Sequence, residues 1–258
     1  MNCDSVTDET VTMPKKTYNM MITAGVILLL VVAFSAGYMI GNSSTTGLVT
    51  GNNQPNDNTP PVAQIKLTVG DAPVMGQANA PLTIIVFSDF SCPYCGGATG
   101  LNKDVVDYFK SQSPTWEPAV PGIINDYVKT GKAKLVFKYF PGHGSGSEAM
   151  KLALCANEQG KFWDVHDKFF ANQNNITDVA LLKTLVAQTG ADMTKINECY
   201  ASGKYTNRLM TDAAELPQDP KGQGTPTFFI GNDKGYVKVV GAQPYSVFKT
   251  AIDNALNS

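Results

Sequence analysis

Five cysteines stand in the 258-residue chain, and two of them lie together in Ser91-Cys92-Pro93-Tyr94-Cys95. Two thiols at that spacing can exchange electrons with another disulfide, supply half of a zinc site, or close an inert ring. Zinc wants four ligands in paired spacing, whereas Cys3, Cys155 and Cys199 are single and far apart and the histidines are His143 and His166 alone. No metal is expected. An inert ring would leave the surroundings of the pair without a purpose. Just before it, Leu82 to Phe87 is an unbroken apolar, β-branched run that reads as a strand buried on both faces, and a helix opens just after. Amide N–H groups at a helix N-terminus have no intrahelical partner and carry partial positive charge, so a thiolate on Cys92 is stabilised there. Its pKa is expected to fall from about 8.5 into the roughly 3.5 to 7.5 range of activated cysteines. Pro93 suits a first helical turn. Cys95, one turn deeper, is expected to be shielded and to attack a mixed disulfide formed at Cys92.

A second motif is Gly224-Thr225-Pro226-Thr227-Phe228-Phe229, in which a proline begins a strand that otherwise reads as buried. A cis Thr225–Pro226 bond accounts for it and turns the preceding backbone groups toward an extended peptide, which can pair as an added strand. An ordinary trans proline at a strand start is the alternative. Thr225, with Pro93 and Tyr94 between the cysteines, is the expected substrate-contacting set.

The elements that must position these groups follow from periodicity. Strand patterns recur at residues 134–140, 227–230 and 236–240, the last two joined by a glycine-bounded turn as an antiparallel hairpin. Pro244 opens an amphipathic helix with Phe248, Ala251, Ile252, Ala255 and Leu256 on one face. Helical patterns at Lys161 to Phe170, and from Thr177 as cap to Gly190 as stop, fill a connection too long for one crossover helix. The expected class is α/β: a βαβ unit, a hairpin and a final helix, with a helical subdomain at about residues 142–222 inserted into the crossover.

Net charge is −2 without a long run of one sign, which excludes a basic nucleic-acid stripe. Met20 to Ile40 carries no charged side chain and has the length of a bilayer-spanning helix. A cleavable signal peptide competes, with Ala33-Phe34-Ser35 as its site, but the preceding tail carries Asp4, Asp8 and Glu9, unlike a short basic leader. The expected organisation is a cytoplasmic tail (1–19), a transmembrane signal-anchor helix (20–41), a flexible linker (42–62) and a folded domain (63–258). Lys15 and Lys16 precede the helix and the first basic residue after it is Lys66, so the domain is expected outside the cytoplasm, at the cell membrane. The linker's reach is on the order of 25 Å. Four of the five cysteines then fall on the disulfide-permissive side, and Cys3 is a free thiol of the tail.

Leu82 to Cys95, with Phe137-Lys138-Tyr139-Phe140-Pro141, Leu154-Cys155-Ala156-Asn157-Glu158-Gln159-Gly160-Lys161-Phe162-Trp163 and the Pro226 motif, resembles the DsbA-like family, closest to its membrane-anchored archaeal and Gram-positive members. The resemblance covers about residues 65 to 257. It implies a thioredoxin fold with an inserted helical domain, Cys92 as attacking and Cys95 as resolving cysteine, and Pro226 as the cis-proline beside them. It also implies cysteine-containing exported proteins as substrates and re-oxidation by a membrane partner of the DsbB or vitamin K epoxide reductase-like type. Nothing calls for a cofactor. Where many relatives carry a buried Glu, this chain has Val86, and Lys138 aligns with a basic residue near that Glu. Lys138 therefore sits under the active site without a carboxylate partner, or on a solvated strand edge. Ser113 to Gly122 looks inserted, either shaping a substrate groove or forming a rigid surface loop. Cys155 and Cys199, both in helical patterns, are expected to form a structural disulfide rather than a second redox relay. His143 either tunes Cys92 or is an exposed loop residue, and His166 reads as a helix residue without a role. The expected activity is oxidation of client cysteine pairs. A reductase, isomerase or glutaredoxin-like enzyme is the alternative, and a non-enzymatic peptide-binding module the second.

Overall fold

The computed structural model describes residues 67–217 and 223–257. The expected tail, signal-anchor helix and linker lie outside the described residues, and among those described no helix is long and apolar enough to cross a membrane.

Among the described residues, five strands form one sheet in the order β1 (Val74–Met75), β3 (Ala133–Tyr139), β2 (Leu82–Ser88), β4 (Thr227–Asn232), β5 (Gly235–Val240). The central strand β2 is buried at every position, as its apolar run demands, and pairs parallel with β3 and antiparallel with β4. A parallel pair needs a long crossover. It runs through α1 (Pro93–Thr99), α2 (Lys103–Gln112) and α3 (Ala119–Ile123), the last continued by a π-helical turn at Ile124–Val128. The hairpin β4–β5 closes more tightly than the glycines suggested, with Asn232 already paired to Gly235.

The segment Ser113 to Gly122 is a surface loop only in part, with Ser113, Pro114, Thr115 and Glu117 exposed. Trp116 is buried and stacked on Phe109 with ring centroids 4.6 Å apart, and its indole N–H donates to the Ala242 carbonyl at 3.1 Å. The end of this proline-rich stretch is α3: Pro118 is its N-cap, and Pro121 falls in the first turn, where a missing N–H costs nothing.

Between β3 and β4 come α4 (Ser147–Asn157), α5 (Phe162–Ala171), a 3₁₀ turn at Gln173–Asn175, α6 (Val179–Ala187), α7 (Met193–Ala201) and α8 (Thr206–Glu215). The expected cap at Thr177 is instead Asp178, whose carboxylate accepts from the Ala180 and Leu181 amides. Helix α9 (Tyr245–Leu256) buries Phe248 and Ile252. This is a thioredoxin fold with an inserted helical subdomain.

Alternation along the strands sends side chains to two faces. Leu82, Ile84, Val86, Leu135, Phe137, Phe228 and Ile230 join a large core with α1, α3, α9 and the insert. Ile85, Phe87, Val136 and Phe229 form a smaller cluster on the opposite face with Leu216 and Ala72. Lys138 shares the face of Val136. It is 1% exposed and held by Glu215 at 2.7 Å and Asp212 at 3.6 Å, both from α8. Both expectations for Lys138 are therefore corrected: it is neither solvated nor under the cysteines, and two carboxylates pair with it. A buried ammonium without partners would cost several kcal/mol, and sequence spacing gives no sign that α8 returns to supply them.

Candidate active site

At the end of β2 the chain turns through Asp89-Phe90-Ser91 into α1. Asp89 is fully buried, and its carboxylate accepts from the Ser91 amide (2.9 Å), the Ser91 hydroxyl (2.8 Å) and the His143 amide (2.9 Å). This one side chain fixes the turn before the cysteines and ties the loop after β3 to it. Cys92 is the N-cap of α1, where the Cys95 amide approaches its sulfur at 3.4 Å, and Pro93 follows in the first turn. Cys92 also presents its Sγ–H to the Thr225 carbonyl at 3.3 Å. The Thr225–Pro226 peptide bond is cis. The structure thus brings Cys92, Cys95, Thr225 and Pro226 together, with exposed Pro93 and Tyr94 at the rim.

Both cysteines are free thiols, and both are buried: Cys92 is 0% and Cys95 1% exposed. Their surroundings nevertheless push them apart. The Cys92 pKa is lowered from 9.0 to about 6, chiefly by the hydrogen bond from the Cys95 thiol, against the opposing effect of burial. Thr225, the Cys95 amide and the charge of His143 add smaller contributions in the same direction. Burial, aided by the neighbouring Cys92, pushes the Cys95 thiol well above its usual range. A low-pKa sulfur beside a high-pKa one divides the roles of nucleophile and buried partner. Direct donors at the sulfur lead the lowering at Cys92, and burial leads the rise at Cys95. His143 lies in an exposed loop and acts on Cys92 through its charge.

Two supports escaped the sequence. Gln173, 7% exposed in the 3₁₀ turn of the insert, donates its amide to the carbonyls of Phe90 (2.8 Å) and Cys92 (2.7 Å) and accepts from Asn102 (2.7 Å). A Cβ at Gly96 would collide with the Gln173 amide oxygen, so the glycine is what lets the insert approach. No local pattern marks Gln173, whereas Asp89 and Ser91 could have been noticed as an Asx-turn pair flanking the cysteines.

Beside Cys92, a groove of about 420 Å³ is lined by Tyr94, Phe109, Trp116, Thr225, Ala242 and Pro244 among others. Its aromatic wall is partly the inserted segment. Cys155 and Cys199 are joined in a disulfide between α4 and α7, with Cα atoms 5.8 Å apart. Together with Glu158 they converge within ligand distance of one another, but sulfurs engaged in a disulfide offer no thiolate to a cation.

A thioredoxin family model matches residues 68–111 and 112–254. The chain belongs to that family, in its DsbA-like group of thioredoxin-fold thiol-disulfide oxidoreductases. It is 28% identical over 170 residues to disulfide bond formation protein D of Bacillus subtilis, covering 63% of this chain and 68% of that protein. It is 29% identical over 187 residues to the Na(+)/H(+) antiporter NhaA 3 of Salinispora tropica, covering 69% of this chain. The chain spans about a quarter (25%) of that antiporter's length. The crystal structure of alpha-DsbA1 from Wolbachia pipientis superposes with a TM-score of 0.58 at 22% identity, covering 74% of this chain and 94% of that one.

Proposed function

We propose that the chain is an extracytoplasmic oxidase of cysteine pairs in exported proteins. The carrying observation is the Cys92 sulfur, which receives the Cys95 thiol and amide and has a pKa lowered to about 6. Stabilising the thiolate stabilises the reduced form, and a pair whose reduced form is favoured is an oxidant. A client thiolate attacks Cys92, the bond to Cys95 opens, and a second client thiolate then releases the client disulfide. The groove beside the cis-proline offers an extended client an aromatic wall and a strand end to pair with.

Location outside the cytoplasm rests on Lys15 and Lys16 before the apolar segment and on the Cys155–Cys199 bond, which an oxidising compartment preserves. On this reading residues 20–41 anchor the chain at the cell membrane, near a membrane partner of the DsbB or vitamin K epoxide reductase-like type that re-oxidises it. The test is equilibration of the full chain with glutathione buffers. A potential near about −120 to −180 mV is expected, and one near about −270 mV would overturn the oxidase direction in favour of a reductant.

A further inference from the structure

Beneath Cys95 the sheet and the insert border a small cavity of about 10 Å³, the scale of a single water molecule. Its wall includes Val86, Ser88, Cys95, Phe137, Trp163 and His166. Cys95 is 1% exposed, yet its sulfur must be a thiolate at the moment its bond to Cys92 forms or breaks. A proton therefore has to reach or leave an atom that bulk water does not touch. Val86 offers no group to carry it.

His166 does. It is 4% exposed, and its Nδ1 lies 2.8 Å from the Asp167 carboxylate, which can only accept, so Nδ1–H donates there and Nε2 is the atom left to exchange a proton. Phe90, Phe137, Phe162, Trp163 and Phe170 pack around the ring and fix its orientation. Among the described residues that line the cavity or contact the ring, the other titratable groups are Cys95 and Asp167. Trp163 adds a buried Nε1–H with no partner among the described residues, a donor of the kind that an internal water satisfies.

We propose that His166 exchanges the proton of Cys95 through a single water molecule in this cavity, a role that rests on the oxidoreductase reading above. When a client thiolate attacks Cys92, a bond forms between the client sulfur and Cys92 Sγ. The Cys92–Cys95 bond breaks, and the departing electron pair on Cys95 takes a proton from the His166 imidazolium by way of the water. During re-oxidation by a partner disulfide, Cys95 returns that proton to His166 as it attacks the mixed disulfide, and the partner leaves as a thiolate. His166 touches neither reacting sulfur, so it is a positioning residue for the proton.

The test mixes the oxidised full chain with dithiothreitol across pH 5 to 8 and follows opening of the Cys92–Cys95 bond, normalised to reagent thiolate. The wild-type constant is expected to fall as pH rises across this window. His166→Gln should be slower on the order of 10²-fold at the acidic end, the lower range for a positioned general acid, and lack that pH dependence. Adding Val86→Glu to His166→Gln, which places a carboxylate on the same wall, should restore a pH-dependent rate. A folded His166→Gln protein with the wild-type constant and profile overturns the relay and leaves the oxidoreductase reading standing. A wild-type protein that does not open its disulfide at all overturns both. Should His166→Gln fail to fold, the wild type decides: the NMR titration of the His166 ring should differ between disulfide and dithiol forms, and one shared curve overturns the proposal.

Discussion

Cys92 and Cys95 lie three positions apart at the end of a buried strand and remain thiols, whereas Cys155 and Cys199 lie 44 apart on α4 and α7 and are bonded. The first pair is surrounded by groups aimed at one sulfur: the Cys95 thiol and amide, the Thr225 side chain and the distant charge of His143. At the second pair the Glu158 carboxylate lies 3.2 Å from the Cys199 sulfur, placing negative charge where a thiolate would have to form. The surroundings that activate one pair are the reverse of those that keep the other inert. Reactivity belongs to the environment of the sulfur, and a fold can hold both kinds of pair at once.

The sharpest way to break this comparison is substitution of each pair in turn. Cys92→Ala should reduce catalysed disulfide formation in a reduced client to the uncatalysed rate, while the Cys155→Ala/Cys199→Ala protein should retain it. The reverse result would make the insert pair the working one and the redox turn a binding feature. The insert pair should instead show itself in stability. Closing a loop of 44 residues contributes roughly 4 kcal/mol in the chain-entropy model, to be read as a shifted denaturant midpoint of the double variant.

Gln173→Ala is a smaller perturbation directed at one pair only. It leaves the buried carbonyl of Phe90 without its side-chain donor and weakens the support of Cys92. A loss of about 1 to 3 kcal/mol is expected, with a raised Cys92 pKa measured by ultraviolet thiolate absorbance. An unchanged pKa would mean that α1 alone holds the sulfur in place.

The smallest effect concerns pH. The folded pKa of Cys92 is depressed from 9.0 to about 6, so its contribution to stability is full above the unfolded value and is lost as pH falls through about 6. At pH 7 it is on the order of 1 kcal/mol. The reduced protein should therefore gain stability over Cys92→Ser between about pH 6 and 8.5, below the alkaline range in which the raised pKa of Cys95 begins to count against the folded state. Equal stability of the two proteins across that window would show that Cys92 is not activated in the folded chain.

The sequence by itself determined the parts whose causes are local. An apolar run long enough to be buried on both faces made β2, a C-x-x-C following it made the redox turn, and proline at the head of a buried strand marked Thr225–Pro226. Periodicity located α5, α6 and α9 to within a few residues. Asp178 displaced Thr177 as a cap because both side chains can accept a hydrogen bond and only backbone geometry chooses between them. What the tertiary structure decided depends on chain segments distant in sequence meeting at one point. Lys138 is buried because α8 folds back with Asp212 and Glu215 to neutralise it, and it faces away from the cysteines because the pleat alternates sides. Gln173 reaches the Cys92 carbonyl from 81 residues away, and His166 and Cys95 line one cavity, juxtapositions no local pattern can encode because only packing of the insert against the sheet creates them.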